Sequence, residues 1–275
     1  MNQSSHDISG FLAFTQALTD SAQENEDVLG LVLVGSTAET FRADEWSDHD
    51  FFLVVKPGLG EQFRRDLSWL PDFKDIAFSP RETDHGLKVV YTNGQVLEFA
   101  VFEDSELELA SVNSWAVPVD KANITSRVLA IRDRTKPHIY SVEEEWSLLL
   151  ATTLIAIGRA RRGEMLIAGQ GIRTRAMNHA LGLLRAAKMP QVNTEHYEDN
   201  LDRFRRIEIQ YPREAKVLND ISEMPVEVGA EALLDFVISL ELLDEKQISL
   251  ANVVRSRLDW EITSAAVSNS SSQQK

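Results

Sequence analysis

The sequence predicts an α/β protein in which a small mixed sheet with helices is followed by an α-helical bundle. Apolar runs of strand length occupy the first half of the chain, among them 30–34, 51–55 and 95–102. From Ser141 onward the apolar residues instead recur at helical spacing, with polar breaks between the segments. This change of periodicity in mid-chain indicates two domains rather than one continuous fold.

The domain boundary is expected in the charged stretch 132–137, which contains three basic residues, one Asp and a Pro. The sheet domain then covers residues 1–136 and the bundle covers residues 137–266. Residues 267–275 form a tail rich in Ser and Gln, which we expect to be disordered because it has little apolar surface to bury.

The charge and composition of the chain indicate which kinds of partner and which location to expect. The chain has 28 Lys and Arg against 43 Asp and Glu, a net charge of −15, so its field disfavours nucleic acid and anionic lipid and favours cationic small molecules. It has no Cys, no apolar leader at its N-terminus and no apolar run of the roughly 18 residues that a membrane helix needs. We therefore expect a cytoplasmic protein without a membrane partner.

In the sheet domain the strongest local signal is Asn93-Gly94, which lies between two apolar runs and predicts a hairpin because both turn positions favour positive φ. The predicted elements are helix 7–22, strands 30–34 and 48–55, helix 61–70, strand 74–79, hairpin strands 87–92 and 95–102, and weaker strand or loop segments 115–120 and 128–133.

In the second domain, Ser141 and Glu144 have the spacing of a capping box, in which each side chain accepts a hydrogen bond from the other residue's backbone N–H. The predicted helices of the bundle are 142–162, 164–188, 198–210, 212–223, 226–243 and 246–265.

Asp48 and Asp50 are the first candidates for chemistry. Residues two apart on a strand point to the same face, so both carboxylates aim at one side of the sheet. Glu98 lies on a later strand, in an otherwise apolar row. Hard oxygen ligands of this kind suit magnesium, which binds nucleotide phosphates. The alternatives are a solvated strand end for the two aspartates and an edge-strand surface acid for Glu98.

The end of the first strand, Gly35-Ser36, is a candidate phosphate-binding turn, because Gly allows close backbone approach and Ser can cap the following turn. Arg42 and Ser47, between this turn and the aspartates, are further candidates for contact with the nucleotide. A surface position is the alternative for Arg42. His49 must point away from its acidic neighbours, and we expect it to be a packing or surface residue rather than a metal ligand.

Gly35-Ser36, a short helix and Asp48-x-Asp50 on the next strand together resemble the signature of polymerase-beta-type nucleotidyltransferases. The order of domains and the chain length are similar to those of the lincosamide and streptomycin (aminoglycoside) nucleotidyltransferases of antibiotic resistance. The resemblance implies two Mg²⁺ ions held by Asp48 and Asp50, with Glu98 as third ligand or general base. It also implies ATP or another nucleoside triphosphate as co-substrate and transfer of the nucleoside monophosphate to a hydroxyl, with release of pyrophosphate.

The segment Arg161-Arg162-Gly163-Glu164 resembles the start of a long helix in the lincosamide-type enzymes. On that basis Glu164 is a candidate catalytic residue on the acceptor side. The alternative is structural, because an acid at a helix start is favoured by the helix dipole whatever the function.

Two other functions remain open: a regulatory, antitoxin-type nucleotidyltransferase that acts on or binds a protein partner, and a binding module that keeps the fold without catalysis. The long helical domain disfavours the first, and the three acids disfavour the second. The sequence leaves open the acceptor, the nucleotide preference and the oligomeric state, a homodimer included.

Overall fold

The structure of the protein is a computed structural model that describes residues 8–134, 141–188, 190–191 and 201–261. The chain divides into two compact units, Met1–Lys136 and Pro137–Lys275. The predicted tail 267–275 lies outside the described residues, as do parts of the predicted helices 198–210 and 246–265.

The first unit is built on a six-stranded mixed sheet of order β3-β4-β5-β2-β1-β6. Strands β2 and β5 pair in parallel, and the other neighbours are antiparallel. The parallel pair lies at the centre, where the candidate acids are. The strands are β1 Val28–Val34, β2 His49–Val55, β3 Ile76–Phe78, β4 Gly86–Tyr91, β5 Val96–Glu103 and β6 Trp115–Asp120.

The two faces of the sheet carry separate cores. On one face, apolar residues of the first helix, such as Phe14 and Leu18, pack in the same cluster as Phe51 and Phe99 of the central strands. On the other face, Val54 and its neighbours pack against the last helix of the unit. The helices of this unit are α1 Ser9–Glu24, α2 Gly35–Ala38, α3 Gly60–Arg65 and α4 Ile124–Arg134, with 3₁₀ turns at Thr40–Arg42, Phe73–Asp75 and Asp104–Leu109.

The prediction of a strand or loop at 128–133 is wrong, because this segment belongs to α4. Ile124, Val128 and Ile131 recur at helical spacing and are all fully buried against the sheet. The carboxylate of Asp120 accepts the backbone N–H groups of Ile124, at 2.7 Å, and Thr125, at 3.0 Å, at the helix start. The strand prediction arose because the β-branched residues Val128 and Ile131 favour a strand by local propensity, although their spacing is helical.

The predicted hairpin is present as β4 and β5, but its loop differs from the one expected. Of Asn93 and Gly94, only Gly94 has a positive φ, 89°. The backbone N–H of Tyr91 donates to Gln95 at 2.9 Å, so the loop contains three residues, 92–94, instead of two. Likewise helix α3 ends at Arg65, five residues before the predicted end at residue 70.

The second unit is helical throughout its regular elements, as predicted. The capping box at Ser141 is confirmed, and Trp146 is buried with its indole N–H donating to the Gln247 carbonyl at 2.8 Å. No helix among the described residues is long and apolar enough to cross a membrane. The helices are α5 Val142–Arg161, α6 Met165–Gln170, α7 Met177–Ala187, α8 Ile207–Gln210, α9 Pro212–Glu223, α10 Val226–Ile238 and α11 Glu245–Leu258, with a π-helical turn at Gly171–Ala176 between α6 and α7.

Candidate metal-binding site

Three carboxylates converge at the start of the central parallel strands. One oxygen each of Asp48, Asp50 and Glu98 lies within 4.8 Å of the other two. The strand pairing explains this cluster: Asp50 of β2 is the register partner of Glu98 on β5, and register partners project from the same face. Asp48 lies one residue before β2 and shares the face of Asp50. Within the described part of the chain, no other three acidic, His or Cys side chains are grouped in this way.

A lysine that the sequence analysis did not identify also lies at this cluster. Lys88 of β4 is the antiparallel partner of Glu98, and its Nζ lies 3.5 Å from Glu98 Oε2 and 2.9 Å from Glu82 Oε1. The hydrogen bond to Glu82 and then the charge of Glu98 raise the pKa of Lys88 above its ordinary value. The ammonium group therefore offsets part of the charge that three carboxylates would otherwise place together.

We expect Lys88→Gln to tighten the binding of Mn²⁺ to the nucleotide-free protein by up to about fivefold, because the ammonium group would no longer compete with the ion for Glu98. The effect is limited because the Lys88–Glu98 pair is partly exposed to solvent. Glu82→Gln should weaken Mn²⁺ binding, since Lys88 would then have Glu98 as its main partner. Calorimetric titration of both variants checks this pair of opposite shifts. Equal affinities in the two variants would mean that Lys88 does not compete with the ion.

The turn that precedes the aspartates lies directly against one of them. Gly35 has φ +57°, and a Cβ at this position would lie 2.9 Å from Asp50 Oδ2. Both the left-handed backbone and the close approach therefore favour Gly here. Ser36 follows as a half-buried residue in the short helix α2. The structure thus brings the Gly-Ser turn next to the acidic cluster.

Arg42 and Ser47 both take part in holding this part of the chain. Arg42 Nη2 donates to the Gly35 carbonyl at 3.3 Å and to Ser114 Oγ at 3.2 Å, and the guanidinium forms an ion pair with Glu39. Its side chain is only 7% exposed.

Ser47 Oγ accepts the backbone N–H of Asp44 at 2.9 Å and closes the turn that leads into Asp48. These contacts give both residues a structural role at the candidate site. The contact with nucleotide stays a prediction.

His49 lies on the face opposite to its acidic neighbours. It is 1% exposed, its ring stacks on Phe11 with centroids 4.0 Å apart, and its Nε2 lies 3.1 Å from the Phe11 carbonyl oxygen. Burial lowers its pKa below the ordinary value, so that the ring is neutral near pH 7. Of the two roles expected for His49, packing or surface, the structure shows packing.

Glu164 belongs to the second unit, where it immediately precedes α6. Its Oε1 accepts Arg162 Nε at 2.9 Å, and the side chains of both residues are largely exposed. The carboxylate does not cap the helix. This geometry leaves the carboxylate accessible to solvent, and its catalytic role stays a prediction.

No protein-family model and no curated protein sequence matches the chain significantly. An aminoglycoside 6-adenyltransferase from Bacillus subtilis aligns over 94% of this chain and 95% of its own, with 13% identity and a TM-score of 0.32. A nucleotidyltransferase-like protein from Exiguobacterium sibiricum 255-15 aligns over 84% of this chain and 74% of its own, with 11% identity and a TM-score of 0.33.

A third solved structure, the CdnC:HORMA-deltaN complex of E. coli MS115-1, aligns over 84% of this chain and 90% of its own, with 11% identity and a TM-score of 0.30. Structural likeness at such low TM-scores carries no conclusion about function. Over most of its length, then, the chain resembles solved structures that include an adenyltransferase and a nucleotidyltransferase-like protein.

Proposed function

We propose that this protein is a magnesium-dependent nucleotidyltransferase that transfers a nucleoside monophosphate, AMP from ATP in the simplest case, to a hydroxyl group of a small molecule. The observation that supports this proposal is the convergence of Asp48, Asp50 and Glu98 from two adjacent strands beside the Gly35 turn. Their carboxylates are hard oxygen donors, which suit Mg²⁺ in a site that also takes phosphate.

The residues that would hold the ions are Asp48, Asp50 and Glu98. Divalent ions bound there would polarise the α-phosphate, acidify the acceptor hydroxyl and neutralise charge on the pyrophosphate leaving group. The carboxylates of Asp50 and Glu98 project from neighbouring strands whose backbones are fixed by the sheet, and Asp48 immediately precedes one of these strands, so the positions of all three ligands are constrained. Glu98, 47% exposed, is the carboxylate with the freest access to an incoming hydroxyl, consistent with a role as third ligand or general base.

The Gly35-Ser36 turn would contact the phosphates of the nucleotide. Because Gly35 has no Cβ, the chain lies close to the Asp50 carboxylate, so a phosphate bound by the ions there would lie near the backbone of the turn. Arg42 holds the turn through the Gly35 carbonyl, and Ser47 shapes the loop before Asp48. We assign these two residues a supporting part in nucleotide binding.

The charge of the chain points to the class of acceptor. A net charge of −15 attracts cations over a distance of about 10 Å at ordinary ionic strength. A polycationic molecule with several hydroxyl groups, such as an aminoglycoside, fits both this field and the reaction. A lincosamide, which carries hydroxyls and an amine, fits in the same way. Modification of such an antibiotic would confer resistance to it.

The proposal is tested first by ligand-dependent melting. ATP at about 100 times its dissociation constant should stabilise the native state by about 2.7 kcal/mol in the presence of Mg²⁺. ATP without a divalent ion should give a much smaller rise in Tm, because the acidic cluster repels the triphosphate. An equal rise without Mg²⁺ would place the nucleotide at a different site.

The acceptor is then sought with α-³²P-labelled ATP and Mg²⁺ against a panel of aminoglycosides, lincosamides and neutral polyols. Label transferred to a cationic member of the panel supports the proposal. Label found on a protein from a cell extract, with none on the small molecules, would instead support the regulatory alternative. Failure to label any acceptor, together with no Mg²⁺-dependent melting shift, would contradict a transferase function.

A further inference from the structure

Thr37 is a buried polar residue between the Gly35-Ser36 turn and the segment that carries Asp48 and Asp50. It lies in α2, two residues after Gly35, and is 1% exposed. Its Oγ1 accepts the backbone N–H of Asp50 at 2.8 Å, and the hydroxyl can donate to the backbone carbonyl of Asp48 at 3.5 Å. One hydroxyl group therefore contacts the main chain on both sides of His49.

These contacts act on the part of the backbone from which the two aspartates project. The ring of His49, between them, is anchored by the Phe11 carbonyl and by stacking on the Phe11 ring. Thr37 and Phe11 together fix both the backbone and the central side chain of this three-residue segment. The remaining freedom of Asp48 and Asp50 is then mainly in their own side-chain torsions.

A metal site needs its ligands held within about 0.5 Å of the productive geometry. Two like-charged carboxylates tend to separate when no ion is present, and a rigid backbone limits how far they can move. The Thr37 hydroxyl also links this backbone to α2, which begins at Gly35, where the chain lies against the Asp50 carboxylate. A shift of the turn would therefore be transmitted to the aspartates.

We propose that Thr37 is a positioning residue that sets the spacing of Asp48 and Asp50 and couples this spacing to the Gly35-Ser36 turn. This inference rests on the proposed metal-dependent function of the site. It assigns a role in metal binding to a residue that neither contacts the ion nor belongs to the acidic cluster.

The test is the affinity of the nucleotide-free protein for Mn²⁺, measured by electron paramagnetic resonance below the melting temperature of every variant. Thr37→Val removes the hydroxyl at almost the same volume and should weaken Mn²⁺ binding about three- to tenfold, the range expected for one lost hydrogen bond. Thr37→Ser keeps the hydroxyl and should stay within about twofold of the wild type.

Ile131→Val serves as a control for stability, because it trims a fully buried side chain on α4. It should lower the Tm, as Thr37→Val also should, and leave the Mn²⁺ affinity unchanged. A drop in affinity in Ile131→Val as large as that in Thr37→Val would show that the loss follows general destabilisation and would overturn the proposal.

The other outcomes are also decisive. Wild-type affinity in Thr37→Val would overturn the positioning role and leave the proposed function intact. A wild-type protein that does not bind Mn²⁺, or binds it as well after Asp50→Asn, would overturn the proposed function itself. If Thr37→Val does not fold, Thr37→Ala removes the hydroxyl without putting a methyl group in its place. It should show the same loss of affinity.

Discussion

Asp50→Asn is expected to lower the rate of nucleotidyl transfer by about 10³-fold while the protein stays folded. The change removes one charge from the acidic cluster with almost no change in volume. A bound ion contributes several kcal/mol to stabilising the transition state, and each 1.36 kcal/mol corresponds to a factor of ten in rate. Asp48→Asn should act in the same direction, because the two carboxylates share one site.

The stability of Asp50→Asn should equal or exceed that of the wild type without metal, since the substitution relieves repulsion among like charges. Single-turnover transfer to an identified acceptor and a melting curve measure the two effects separately. Asp20→Asn is the matched control: it makes the same substitution at an exposed residue of α1 whose carboxylate accepts Gln16 Nε2. Unchanged turnover in Asp50→Asn, or an equal loss in Asp20→Asn, would remove the acidic cluster from the mechanism.

Glu164→Gln is expected to lower transfer by about 10²-fold, the lower end of the range for a lost general base, and to leave the affinity for Mg-ATP nearly unchanged. We propose that the carboxylate of Glu164 orients the acceptor hydroxyl, or an ammonium group of the acceptor. In the structure it is solvent-accessible and is held by an exposed ion pair with Arg162, an interaction that contributes little to stability.

Arg162→Gln separates this role from a structural one. It breaks the same ion pair but keeps the Glu164 carboxylate, so it should leave turnover close to that of the wild type. Steady-state kinetics with varied acceptor, together with Tm, would be measured for both variants. If Glu164→Gln and Arg162→Gln lose the same activity, or if neither loses any, Glu164 is only the acidic partner of a surface ion pair.

The elements that could be predicted from the sequence are those whose signals are local. The capping box at Ser141, the helical pattern of the second unit and the apolar strands are all set by side chains close in sequence. The spacing of Asp48 and Asp50 belongs to the same class, because the period of two on a strand decides their common face. Placing Glu98 beside them required one further step, the parallel pairing of β2 and β5.

Features that depend on strand register and on contacts between distant segments could not be predicted from the sequence. A two-residue loop at Asn93-Gly94 would have paired Val89 with Glu98, whereas the three-residue loop pairs Lys88 with it. A single residue of loop length therefore determined whether a cation lies beside the acidic cluster. The role of Thr37 could not be predicted for a related reason, because its two partners lie 11 and 13 residues further along the chain. Their contact exists only once the turn and the strand are packed together.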